Sequence, residues 1–319
     1  MQDFKIFKKL AVFAFTALTM ASCAKDDVPL KTTLATVNTS PVSPPLTRAY
    51  AHNDYKHDAP LFDALRHGFT TVEADVFLVN GELLVGHTMG TTRPGRTLEA
   101  LYLKPLAEMA EKNDGHIYPQ SGQSLQLLID VKSGGAETHY ALEDLLQRYA
   151  GLLTSYQVEE VREGAVTVLL SGKRPPQAFL RQASLRMGPE IRYAAYDGRL
   201  QDLPHKYSPA VMPLISADWN RNFDWRGIGP MEEKERKKLR DIVGKAHENG
   251  QDIRFWATPE RDPAARTAVW KELVRMDVDY INTDHLPELH AWLLQNDPQI
   301  LAQNNGRSKD YVRAPGVGH

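Results

Sequence analysis

The chain almost lacks cysteine. Cys23 is the only one in 319 residues, so no intrachain disulfide can form. It lacks an excess of either charge: 38 Lys and Arg against 40 Asp and Glu leave −2, which gives no electrostatic case for nucleic acid as a partner. Its leading apolar stretch, Leu10 to Met20, is eleven residues, too short to cross a bilayer as a helix. It also lacks a glycine-rich turn after its first strand-like run. Asn53-Asp54-Tyr55 stands there instead, which counts against a dinucleotide-binding domain. What is present is enough apolar material, 42%, to bury a full core in one large domain or two smaller ones. Twenty prolines and 21 glycines suggest many short connections.

The first residues read as a leader. Lys5, Lys8 and Lys9 give a basic start, the apolar stretch follows, and Met20-Ala21-Ser22-Cys23 resembles a bacterial lipobox. Ala24-Lys25-Asp26-Asp27 is similar to the export signal of some bacterial surface lipoproteins. These resemblances imply a signal peptide over 1–22, lipidation of Cys23, and a membrane anchor on the bacterial cell envelope, at the outer membrane and surface-exposed. An ordinary cleaved signal peptide with an incidental cysteine is the plainer alternative. Residues 24–47 are rich in Thr, Ser, Pro and Val, with Pro41, Pro44 and Pro45 clustered, and 23–47 reads as an extended tether. A folded domain is expected over 48–296 and a tail over 297–319.

Strand-like runs occur at Arg48–His52, Thr70–Val79, Leu125–Lys132, Ala165–Ser171, Ile191–Tyr196, Val211–Ser216, Ile253–Ala257 and Tyr280–Thr283. Helix-like segments lie between them at Pro60–His67, Leu98–Lys112, Glu137–Ala150, Pro175–Gln182, Glu232–Asn249, Arg266–Met276 and Pro287–Leu294. The stretch from Arg199 to Ala210 shows no clear helix. Alternation of this kind predicts an α/β protein, a single (β/α)8 TIM barrel in size and order, with a doubly wound open sheet as the alternative. Asn80-Gly81 predicts a type I′ hairpin, so the second strand should extend into a small β-hairpin that delivers His87 near the strand ends.

Five polar residues end these apolar runs: His52, Glu73, Asp75, His87 and Asp130. Glu73 and Asp75, two apart on a strand, share a face. Two adjoining carboxylates repel unless one takes a proton or a cation joins them, and Asp130 on the next strand supplies a third oxygen. Oxygen ligands suit one divalent cation, Mg2+ or Ca2+. Solvated surface acids are the bland alternative, and the apolar neighbours Val72, Val76 and Phe77 weigh against it. Lys132 shares the face of Asp130 and suits a phosphate, or else simply starts the next loop. Two histidines near a cation suit either ligation or acid/base work. Tyr196, Trp219, Trp225 and Trp256 either line the cleft or pack under loops, Trp256 being the best cleft candidate because it ends the seventh strand.

This set resembles the glycerophosphodiester phosphodiesterase and phosphatidylinositol-specific phospholipase C superfamily. The likeness rests on His52, Glu73-Ala74-Asp75, His87, Asp130-Val131-Lys132 and the closing strand Tyr280-Ile281-Asn282-Thr283-Asp284. It implies a TIM barrel, catalytic roles for His52 and His87, a divalent ion on Glu73, Asp75 and Asp130, and attack by a neighbouring substrate hydroxyl to give a cyclic phosphate. Ser171 falls where the family often has a serine and, with Asn53, Lys132 and Trp256, is expected at the phosphate or substrate. Asn53-Asp54 replaces the family's Arg-Gly, Pro60-Leu61-Phe62-Asp63 replaces its Pro-Glu-Asn-Thr, and Asp130 stands where many members have Glu. The His-Asn-Asp opening leans toward the divergent branch with sphingomyelinase D and altered inheritance of mitochondria protein 6. The implied partner is a phosphodiester small molecule or a phospholipid head group, with no obligate protein partner. A ligand-binding surface lipoprotein without turnover, on the same barrel, is the alternative. A carbohydrate-active barrel fits less well, since Glu73 and Asp75 lie too close along one strand to flank a sugar bond.

Overall fold

Alternation along the strands builds the molecule. In the computed structural model, which describes residues 42–119, 121–157, 160–174 and 191–304, the eleven residues Phe69–Val79 form β2. Val72, Ala74 and Val76 join the main apolar core, while Glu73 and Asp75 take the opposite face. The other strands are β1 (Leu46–Ala51), β3 (Glu82–Val85), β4 (Leu125–Val131), β5 (Ser155–Tyr156), β6 (Val161–Arg162), β7 (Val166–Gly172), β8 (Ala195–Gly198), β9 (Leu214–Asp218), β10 (Asp252–Trp256) and β11 (Tyr280–Thr283).

Eight of them pair in the order β1-β11-β10-β9-β8-β7-β4-β2, all parallel, and a further β1–β2 pairing closes the ring. This is a (β/α)8 barrel; the open-sheet alternative fails because no strand edge is left between β1 and β2. Strand β3 pairs antiparallel with the end of β2, and Asn80 and Gly81 take φ 49 and φ 85 between them, as the hairpin reading requires. The inner floor is a small apolar group of Tyr50, Leu128, Leu169, Ala195 and Leu214 with Tyr156. The larger core lies between the strands and the surrounding helices, where Trp219, Phe223 and Phe255 stack edge and tilted at centroid distances of 4.3 to 5.7 Å.

The helices follow the strands as expected, with shifted ends. They run over Phe62–Arg66, Lys104–Lys112, Ala136–Arg148, Trp219–Asn222, Glu233–Glu248, Pro263–Arg275, Leu286–Asn296 and Pro298–Asn304. Asp262 caps the helix at Pro263 by accepting from the backbone amides of Ala264 and Ala265 at 2.8 and 3.0 Å. The expected helix Pro175–Gln182 lies outside the described residues, as does Cys23. The stretch after Arg199 is a short 3-10 turn, Leu200–His205.

Two strands begin later than expected. The apolar start at Ile191 is not in the barrel: Arg192 bridges Tyr156 instead, and barrel pairing starts only at Ala195. The strand therefore runs through Tyr196-Asp197-Gly198, whose Asp and Gly are poor strand formers and hid it. Similarly β9 starts after Pro213, at Leu214, and carries Asp218 to the strand end. The stretch expected as a tail opens with the helix Pro298–Asn304, and its buried Asp297 lies 3.5 Å from Arg48 Nε on β1.

Candidate active site

Strand register gathers the polar residues at one end of the barrel. Asp75 on β2 is level with Asp130 on β4, which is level with Ser171 on β7. Glu73, Asp75 and Asp130 each place an oxygen within 4.8 Å of the others. Lys132 completes the group, with Nζ 2.5 Å from Asp130 Oδ2 and 3.2 Å from Asp75 Oδ2. Burial raises the Asp130 pKa, and the charges of Asp75 and Glu73 add to this despite Lys132. Lys132 is itself raised: burial opposes its charge, but Asp130 and Asp75 outweigh that. Asp75 and Asp130 thus share the one ammonium of Lys132 between two carboxylates.

A hard divalent cation fits this set. All donors are carboxylate oxygens, and Asp75 Oδ1 is buried with no hydrogen-bond partner among the described residues. Its other oxygen is fully engaged, accepting from Tyr55 Oη at 2.7 Å and lying 2.9 Å from His87 Nδ1. Glu73, Asp75 and Asp130 would hold the ion.

Glu73 is set by residues from the far wall. Arg254 on β10 reaches it with Nη1 at 2.8 Å, and Tyr50 on β1 donates to the same oxygen at 2.7 Å. Burial opposes the Glu73 charge, but Arg254 and His52 outweigh it and bring its pKa down to about 2. Arg254 is only 4% exposed and also binds Ser216 and Asn282, at 2.7 and 2.9 Å.

His52 follows β1 directly. Its Nδ1 lies 2.8 Å from Asp284 Oδ1 beyond β11, and its Nε2 lies 3.9 Å from Glu73 Oε1. Burial pulls its pKa down, yet Asp284 and Glu73 together raise it above the ordinary value. His87 arrives on the chain leaving the β3 hairpin, with its side chain 56% exposed and Nδ1 held by Asp75. Asn53 takes a left-handed φ of 50 and lies beside His52 Nδ1 at 2.8 Å. The structure therefore brings together His52, Asn53, Glu73, Asp75, His87, Asp130 and Lys132.

Ser171 and Trp256 are placed differently. Ser171 is 4% exposed; its hydroxyl donates to Asp197 at 2.6 Å and accepts from Arg199 at 3.0 Å, so it is committed to a buried network rather than offered to a substrate. Trp256 is half-buried and shares the inward face of Arg254 two residues before it. Trp219 is fully buried against Phe223 and Phe255, and Tyr196 is buried under the Arg174 guanidinium, so both pack rather than line the mouth.

Sequence reasoning missed Arg254, Tyr55 and the role of Asp284. Arg254 had a signal: a lone charge within Ile253-Arg254-Phe255-Trp256, alternating with apolar residues on a barrel strand. Gly172 is a further one. At φ 66, an added Cβ would collide with Asp130 Oδ1 and the Val131 carbonyl. Gly172→Ala is therefore expected to displace the Asp130 carboxylate and to weaken Mg2+ or Ca2+ binding about tenfold or more, read by isothermal titration calorimetry. Binding equal to that of the wild type would contradict this role for Gly172.

An AIM6-like phosphodiesterase domain model matches residues 39–187, and a glycerophosphoryl diester phosphodiesterase family model matches 252–287. Both models place the likeness of this chain in the glycerophosphodiester phosphodiesterase-like superfamily, and the first places it near the branch of altered inheritance of mitochondria protein 6. It is 29% identical to the homolog of that protein from Arthroderma benhamiae, over 86% of this chain and 96% of that one. It is also 29% identical to the Eremothecium gossypii protein, over 76% and 68%, and 28% identical to the Saccharomyces cerevisiae protein, over 74% and 68%. A solved glycerophosphoryl diester phosphodiesterase from Parabacteroides distasonis superposes with a TM-score of 0.47 at 13% identity, covering 81% of this chain and 90% of that one.

These relatives overturn one expectation. They are fungal, and eukaryotic cells have no bacterial outer membrane, so the placement as a lipid-anchored protein of the bacterial envelope does not stand. No helix among the described residues is long and apolar enough to cross a membrane.

Proposed function

We propose that this chain is a metal-dependent phosphodiester hydrolase in which His52 and His87 form an acid/base pair. The observation that carries the reading is the pairing of each histidine with a different carboxylate around one acidic cluster: His52 with Asp284 at 2.8 Å, His87 with Asp75 at 2.9 Å.

The two environments divide the work. His87 presents an exposed ring whose Nδ1 is occupied by Asp75, leaving Nε2 to accept a proton. His52 is held toward its protonated form by Asp284 and Glu73, which suits a proton donor. In the first step a neighbouring hydroxyl of the substrate attacks phosphorus and its proton passes to His87 Nε2. The bond to the leaving oxygen breaks, and His52 protonates that oxygen. Intramolecular attack of this kind gives a cyclic phosphate and gains from proximity. Water then opens the ring with the two roles reversed. A divalent cation on Glu73, Asp75 and Asp130, when bound, supplies positive charge for the phosphoryl oxygens. Lys132, pinned between Asp130 and Asp75, adds a fixed cation beside them. The substrate is a phosphodiester small molecule or a phospholipid head group.

A panel of glycerophosphodiesters, phosphatidylinositol, lysophospholipids and sphingomyelin, followed by 31P NMR with and without Mg2+ or Ca2+, tests this. At least one diester signal is expected to convert through a cyclic phosphate only when metal is present. Cation binding with no conversion of any diester would instead favour a binding protein on the same barrel.

A further inference from the structure

The supports of the two histidines meet at one side chain. Tyr55 lies three residues after His52, in the short turn Asp54–Lys56. Its ring is buried at 5% exposure, and its carbonyl accepts from Arg96 Nη2 at 2.8 Å. The hydroxyl lies 2.8 Å from Asn53 Oδ1, 2.7 Å from Asp75 Oδ2 and 3.3 Å from His87 Nδ1. Asn53 reaches the other way: its Nδ2 donates at 3.2 Å to Asp284 Oδ1, the oxygen that holds His52 Nδ1 at 2.8 Å. One hydroxyl thus joins the group that aims His52 to the group that aims His87.

Tyr55 has a single proton and two oxygen acceptors within reach. Asn53 adds a second constraint. Its left-handed backbone fixes where the amide sits, and Tyr55 fixes how it turns. Where the superfamily has an arginine after the first histidine, this chain has an amide tied to a tyrosine.

We propose that Tyr55, acting through Asn53 and Asp75, is the positioning residue that holds the two histidines in register with each other. This rests on the assignment of His52 and His87 as the acid/base pair. Tyr55→Phe removes one oxygen and keeps the ring. Asn53→Gly removes the amide and accepts the positive φ.

The test uses the full chain, saturating Mg2+ or Ca2+, and glycerophosphocholine as probe. The kcat of Tyr55→Phe is expected to fall about 30-fold with KM within about twofold. Asn53→Gly is expected to fall by a similar factor, and the double variant to be about as slow as either single one, because both cut the same link. Losses that multiply in the double variant, or a change confined to KM, would overturn the proposal.

A second readout needs no turnover. In 15N NMR of the imidazole nitrogens, wild-type His87 is expected to show one tautomer, protonated at Nδ1, and Tyr55→Phe and Asn53→Gly each to show a mixture. Unchanged imidazole signals in variants that keep the wild-type thermal midpoint would overturn the proposal. If the wild type hydrolyses no diester, the catalytic reading fails alone, and the NMR comparison still decides the role of Tyr55. Should Tyr55→Phe not fold, Asn53→Gly reports on the same link from its other end.

Discussion

His52→Ala is expected to lower phosphodiester turnover by about 10²- to 10⁴-fold while the protein stays folded. The ring is partly exposed at the barrel mouth, with 29% of its side chain accessible, so its loss leaves no large cavity in the core. What it removes is specific. Asp284 and Glu73 hold the imidazole in place and raise its pKa against the pull of burial, and no other histidine lies between those two carboxylates among the described residues. The loss should appear in kcat more than in KM, because the proton is transferred in the transition state. Far-UV circular dichroism and the thermal midpoint should match the wild type. Undiminished turnover in a folded His52→Ala protein would remove His52 from the mechanism.

Arg254→Met is expected to destabilise the barrel by about 3–5 kcal/mol. Arg254 and Glu73 are 5% and 6% exposed at the side chain and lie 2.8 Å apart. Removing the guanidinium leaves a carboxylate without its counter-charge in the interior and strips Ser216 and Asn282 of a donor. The dependence on pH follows from Glu73, whose pKa falls from 4.5 to about 2 in the folded protein. A carboxylate with a depressed folded pKa adds stability that is present above its unfolded value and lost as pH falls through the folded one. The gap between wild type and variant should therefore be widest above pH about 4.5 and should shrink toward pH 2. Urea midpoints at pH 7 and pH 3 measure it. A pH-independent gap would show that the loss comes from packing rather than from the ion pair.

Much of this architecture is legible in the amino-acid sequence, for identifiable reasons. The acidic cluster can be read because Glu73 and Asp75 interrupt an apolar strand at a spacing of two, and Asp130 ends the next barrel strand in the same way. The hairpin can be read because Asn80-Gly81 has one favoured turn geometry. The fifth barrel strand cannot: its apolar prelude at Ile191 belongs to an outer bridge, and the strand itself contains Asp197 and Gly198. Ser171 resembles a substrate ligand because it ends a strand, but only the fold shows Asp197 and Arg199 closing on its hydroxyl. Arg254 and Asp284 are more than 180 residues from the acids and histidine they serve, and no local pattern encodes such pairings. The Met20-Ala21-Ser22-Cys23 stretch illustrates the opposite hazard, where a short motif suggests a cellular address that the relatives contradict.

The most direct test of the central claim is a metal-depleted progress curve by 31P NMR, taken on the diester that responds in the panel. Chelated wild-type protein is predicted to leave the diester signal unchanged, and addition of Mg2+ or Ca2+ to restore conversion through a cyclic phosphate. His52→Ala with the same metal should remain silent. Full turnover in the chelated protein, or in His52→Ala, would contradict the account.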